Sequence, residues 1–273
     1  LFSFIEQTQP EKYEILQRKG ERAFLVRLDE KLRKLRVIEV LRKGVKHFDK
    51  TIYLFYRQPS SAYNANDLEK YKANIFSVTQ ELVYSNDNAN RLDLTIFLNG
   101  IPIITTELKN PLSGQTVHNG IRQYQNDRDP KEKIFSFARC MVHFAADTEL
   151  VYMTTELRGK KSFFMPFNKG LNNGKSTGEF GAGNPVNPNG LKTHYFWEEV
   201  LSKNSLSNII DKFAQVIEEK DEDTGKTKRK MIFPKYHQIT AVKQILAHAK
   251  KYGIGKKYLI QHSAGSGKSM SIA

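Results

Sequence analysis

Cysteine is nearly absent from this sequence. Its 273 residues include a single one, Cys140, which excludes an internal disulfide and a cysteine-built zinc site. Set between Arg139 and Met141, that thiol reads as core filling rather than as a nucleophile. Long apolar runs are missing too. None approaches the roughly 18 residues that cross a bilayer, and no charged-then-apolar leader opens the chain, so a cytoplasmic protein is the expectation. There are no internal repeats and no block of Lys and Arg that would form a basic tail. What is present, 39% hydrophobic, 11% aromatic and 26% charged residues, suits an ordinary globular protein of one large domain or two modest ones.

Positive charge is in surplus throughout. Lys plus Arg number 43 against 29 Asp plus Glu, a net +14. Such a surplus favours an anionic partner, because cations that contact a phosphate backbone release its condensed counterions. A well-solvated basic surface would give the same count. The chain also lacks an initial Met and stops at Ala273, a few residues after a phosphate-loop signature; the expectation is a part of a longer protein.

The hydrophobic period changes along the chain. Residues 12–46 carry Leu25, Leu28, Leu32 and Leu35 at helical spacings among charges and predict two amphipathic helices. A short charged helix is expected over 64–71, capped by Asn66 or Asp67. Strands follow at 75–83, 92–98 and 101–109, the last two joined by Asn99-Gly100, a dipeptide that tight hairpins favour. Next come a helix over 117–128, stopped before Pro130, and strands at 138–145 and 150–155. Residues 168–190 are crowded with Gly and Asn and read as a linker or a functional loop. Helices are expected at 196–203 and 206–219, then a charged segment over 218–230 with a turn at Asp223-Thr224-Gly225. A helix over 238–252 and an apolar strand at 258–261 complete the pattern.

Chemistry concentrates on the hairpin. Asp93 opens one arm and Glu107-Leu108-Lys109 closes the other. Phosphodiester hydrolysis needs a divalent cation such as Mg²⁺, which carboxylates hold, and a Lys can orient the water or stabilise developing charge. Strand alternation puts Asp93, Thr95 and Phe97 on one face, and Ile103, Thr105, Glu107 and Lys109 on one face of the other arm. Leu92, Leu94, Ile96 and Leu98, with Ile104 and Leu108, are then expected in the core. A strict two-residue turn would pair Asp93 with Thr106 and turn Glu107 away. The buried-face pattern instead demands a three-residue loop or a bulge, which sets Asp93 across from Glu107. The same residues would also suit an edge hairpin with a solvated polar face. On the next helix, Gln123 could steer water or contact DNA, or simply face solvent.

The stretch from Arg91 to Pro102, followed by Glu107-Leu108-Lys109-Asn110-Pro111, resembles the signature of the R subunits (HsdR) of type I restriction enzymes. Phe167-Asn168-Lys169-Gly170, Gly183-Asn184-Pro185 and Phe196-Trp197-Glu198-Glu199 are similar to that family's stretch between nuclease and motor. The likeness runs over about residues 74–273. It implies a PD-(D/E)xK nuclease domain, an α/β fold with a mixed central sheet flanked by helices, over 1–165. A loop-rich connector would occupy 166–230, and the start of a RecA-like motor lobe 231–273. Asp93 and Glu107 would bind Mg²⁺, with Lys109 and Gln123 as further catalytic residues. Two departures stand out: Leu92 replaces the proline usual before the aspartate, and Gln123 directly precedes Tyr124 rather than standing four residues before it.

Ala264-Gly265-Ser266-Gly267-Lys268-Ser269 is similar to motif I of superfamily 2 helicases, with His262 where the strict phosphate-loop pattern has its first glycine. Backbone amides at Gly265 and Gly267 would cradle phosphates, Lys268 would reach the β- and γ-phosphates of ATP, and Ser269 would bind its Mg²⁺. Upstream, Gln238 in Phe233-Pro234-Lys235-Tyr236-His237-Gln238 resembles the adenine-reading Q motif. Gly174-Lys175-Ser176-Thr177 spells a similar ending but follows no strand, and reads as linker. No Walker B aspartate follows, so ATP hydrolysis is expected to be incomplete here. The resemblance implies an ATP-dependent type I deoxyribonuclease cutting double-stranded DNA, with methyltransferase (M) and specificity (S) subunits as partners. Two rivals remain open: a translocase whose N-terminal domain binds DNA without cutting, and a non-enzymatic assembly module.

Overall fold

The computed structural model of the chain describes residues 1–59, 64–170, 183–220, 225, 227–253 and 255–260. A hairpin of β1 (Val45–His47) and β2 (Lys50–Ile52) precedes the central sheet, built from β3 (Phe76–Val83), β4 (Arg91–Leu98), β5 (Ile101–Leu108), β6 (Val142–Ala146), β7 (Val151–Thr154) and β8 (Met165–Pro166). Spatial order follows chain order, and only β5 and β6 run parallel. The expected α/β architecture with a mixed sheet and flanking helices is therefore present. A parallel step needs a crossover, and α5 (Val117–Asn126) lies within it, packed on β5, β6 and β7. Its start is fixed by a capping box between Thr116 and Asn119 and by Asp147, whose Oδ2 accepts the Val117 N–H at 2.7 Å. It ends two residues earlier than expected, with Asp127 as its cap.

Each face of the sheet is covered. Phe144 and Ala145, neighbours on β6, belong to different apolar clusters, so the clusters lie on opposite faces. The smaller gathers Leu92, Val117, Tyr124, Phe135, Cys140 and Ala145 on the α5 side. Cys140 is wholly buried, as expected of core filling, and burial pushes its thiol up to about 12. The larger unites Phe4, Phe24, Leu41, Ile104 and Phe144 with Phe167, Phe196, Ile210, Phe233 and Ile239. Phe144 meets Phe167, Phe196 and Phe233 edge-on at 4.7 to 5.8 Å between ring centres. Residues of the expected connector and motor segments thus share one core with the N-terminal region.

Several expectations are corrected. Besides α2 (Pro10–Lys19) and α3 (Glu21–Lys43) there is a further helix, α1 (Phe2–Thr8), and α3 is broken at Arg36, where φ is 72°. The cap of α4 (Ala65–Lys72) is Asn64, whose Oδ1 accepts the Asp67 N–H at 3.2 Å. A cap must precede the turn it satisfies, which Asn66 and Asp67 do not. Leu94 and Leu108 are half-buried rather than core. The helix expected over 206–219 divides into α6 (Lys203–Asn208), a π-helical turn (Ile209–Phe213) and a strand, β9 (Gln215–Lys220). This strand pairs antiparallel with β10 (Thr227–Ile232), and Glu218 meets Arg229 at 2.8 Å across it. Opposite charges at facing positions favour this pairing over a helix. Residues 196–203 begin as a π-helical turn (Phe196–Val200), α7 (Tyr236–Tyr252) starts two residues early, and 258–260 form no strand, Leu259 being 92% exposed. Among the described residues no helix is long and apolar enough to cross a membrane.

Candidate functional site

Asn99 and Gly100 form a two-residue turn, both with positive φ (50° and 82°), the geometry that suits the twist of hairpin strands. Leu98 pairs with Ile101 and Phe97 with Pro102; then β5 gains one residue, Ile103, so that Ile96 pairs with Ile104 and Leu94 with Thr106. The expected bulge is therefore there, and the three-residue loop is not. Continuing that register sets Asp93 opposite Glu107.

Asp93 and Lys109 meet directly, and Glu107 lies within electrostatic reach of both. Asp93 Oδ2 accepts the backbone N–H of Leu108 at 2.6 Å and lies 3.6 Å from Lys109 Nζ. Glu107 is wholly buried, and its Oε1 accepts from Arg128 Nε at 2.8 Å, with Nη2 at 2.7 Å. Its Oε2 is buried without any hydrogen-bond partner. Burial pushes the Glu107 carboxyl up to about 8; Arg128 and Lys109 pull it down while Asp93 adds to the rise.

Gln123 lines an open groove of about 410 Å³ with Lys109, Gln115, Asn119, Arg122 and Asn126. Its neighbour Tyr124 points the other way, into the core, where its hydroxyl lies 2.8 Å from Thr105 Oγ1, itself 2.7 Å from His143 Nδ1. Tyr124 thus pins α5 to β5 and leaves Gln123 on the groove side. Gln238 stands at the start of α7, nearly buried, its Oε1 accepting the Lys235 N–H at 2.8 Å, so that oxygen serves as a helix cap. Gly265, Gly267, Lys268 and Ser269, with His262, Gln261 and the Gly174–Thr177 segment, lie outside the described residues.

Arg128 went unread in the sequence. It stands in Asp127-Arg128-Asp129-Pro130, beyond the end of α5, where a lone cation among acids looks like solvated surface. Only the fold shows that the chain turns back there and brings the guanidinium to Glu107.

Asp93 and Glu107 are of the donor type that could hold a hard divalent cation. An unpartnered buried acceptor costs about 1–3 kcal/mol, more when charged, and Mg²⁺ is commonly held by one or two carboxylates with substrate phosphates and water completing its shell. Asp93 and Glu107 supply that donor set, and among the described residues no group of three or more His, Cys, Asp or Glu offers a fuller protein cage.

Residues 4–162 match the model of the family described as type I restriction enzyme R protein N terminus. Over 220 residues the chain is 27% identical to a Methanocaldococcus jannaschii protein named as the type I restriction enzyme MjaVIIIP endonuclease subunit, a match covering 79% of this chain and 19% of that protein. A second protein of the same organism, named for the MjaIXP endonuclease subunit, is 34% identical over 79 residues, 29% of this chain and 7% of its own length. The chain therefore spans less than a fifth of the length of these relatives.

Proposed function

The chain belongs to the family of type I restriction enzyme R protein N termini, and on that premise we propose that it carries the nuclease site of a restriction subunit with a PD-(D/E)xK domain. The single observation that supports the reading most is the Glu107 oxygen left without a partner in the interior, on the strand position opposite Asp93. Magnesium bound there would polarise a phosphate and make its water a nucleophile near neutral pH. Asp93 and Glu107 would hold it. The Lys109 ammonium, 3.6 Å from Asp93 and lining the groove, would position the water and meet charge developing on the phosphate. Gln123, along the same groove, would contact the substrate strand.

In the full-length protein, cutting of double-stranded DNA would be coupled to ATP-driven translocation. Gly265, Gly267, Lys268 and Ser269 would hold the nucleotide with its Mg²⁺, and Gln238 would face its base. The partners would be M and S subunits that supply methylation and sequence recognition. The net charge of +14 suits a polyanionic substrate.

Plasmid cleavage by the full-length subunit assembled with M and S tests this. Asp93→Ala and Lys109→Ala each reduce cutting by more than about 100-fold while ATP hydrolysis continues. Undiminished cutting in either variant removes the assignment.

A further inference from the structure

We propose that Arg128 is a positioning residue for the acid pair: it grips Glu107 by one oxygen only and thereby presents the other to the cation. This inference rests on the metal-dependent reading above. Arg128 Nε and Nη2 both converge on Oε1, while Oε2 has no partner. A guanidinium that meets a carboxylate for binding alone commonly engages both oxygens, one with each nitrogen. Here the second oxygen is left unused in a side chain with no solvent exposure, although the cation beside it is only 5% exposed.

The remaining contacts hold that arrangement in place. Nη2 also donates to the Arg91 carbonyl at 2.6 Å. Arg91 opens β4 two residues before Asp93, so one guanidinium ties the strand bearing Asp93 to the strand bearing Glu107. The Tyr84 ring backs the guanidinium at 5.6 Å and is itself packed against Phe135 at 4.9 Å.

Calorimetric titration of the chain with Mn²⁺ tests the proposal, with melting curves in chelator to establish that each variant is folded. Groups that orient a ligating side chain typically contribute about 10- to 100-fold in metal affinity. Arg128→Lys, which keeps the charge but loses the fork, weakens Mn²⁺ binding about tenfold, and Arg128→Gln weakens it further, toward about 100-fold. Tyr84→Leu, which leaves the ion pair but removes its backing, also weakens binding and serves where neither Arg128 variant folds. Unchanged Mn²⁺ affinity in a folded Arg128→Lys or Tyr84→Leu variant overturns the proposal while the metal site stands. Absence of Mn²⁺ binding by the unaltered chain overturns the metal site itself, and this proposal with it.

Discussion

His143 is the second residue of β6, with its Nδ1 2.7 Å from Thr105 Oγ1 and the rings of Tyr124 and Phe135 within 6 Å. Burial holds its imidazole down at about 3, well below the ordinary 6.5. The unfolded chain takes up that proton below about pH 6.5, whereas the folded chain resists until about 3. The stabilisation is therefore complete above about 6.5 and lost as the pH falls through that window, by up to about 1.4 kcal/mol per unit. Urea denaturation at several pH values should show this slope, and His143→Gln should flatten it. Equal slopes in the two proteins contradict the assignment. At this scale Asp93, Glu107 and Lys109 could be singled out as candidates because carboxylates and an ammonium at strand spacing suit metal-assisted hydrolysis. Arg128 was not, since nothing in Asp127-Arg128-Asp129-Pro130 distinguishes an inward-turning cation from a solvated one.

Helix α5 brings the groove residues to the site, and its approach depends on Gly120. A Cβ there would stand 3.3 Å from Ala145 Cβ and 3.5 Å from Glu107 Cβ, so the helix rests almost directly on β5 and β6. Gly120→Leu places a branched side chain where no space exists; overpacking of this kind costs about 1–3 kcal/mol. The expected outcome in denaturant unfolding is that loss of stability, with weaker Mn²⁺ binding because Glu107 is displaced. A Gly120→Leu chain as stable as the original refutes the close contact. Strands β3 to β5 could be read to within a residue, and the hairpin bulge followed from which faces had to be buried. The stretch 206–219 could not, because Leu206, Ile209, Ile210 and Phe213 continue a helical spacing up to the point where Val216 and Ile217 turn into a strand. What decides there is the partner β10, with Arg229 facing Glu218, a pairing that the helical spacing of the preceding residues masks.

For the molecule as a whole, one apolar core runs from Phe4 to Ile239, so the acid pair is braced by residues far along the chain. The mixed sheet and flanking helices were readable from the alternation of strand and helix patterns; the sharing of that core by the segments after 166 was not, since isolated aromatic positions such as Phe167, Phe196 and Phe233 do not reveal what they pack against. The ion pair of Glu107 and Arg128 is almost wholly buried, and the unpartnered Glu107 oxygen lies beside it. Anomalous diffraction from crystals of the chain soaked in Mn²⁺ tests that link most directly. The expected result is a peak about 2.1 Å from carboxylate oxygens of both Asp93 and Glu107. Crystals that bind Mn²⁺ only elsewhere, with Glu107 Oε2 still bare, would contradict it.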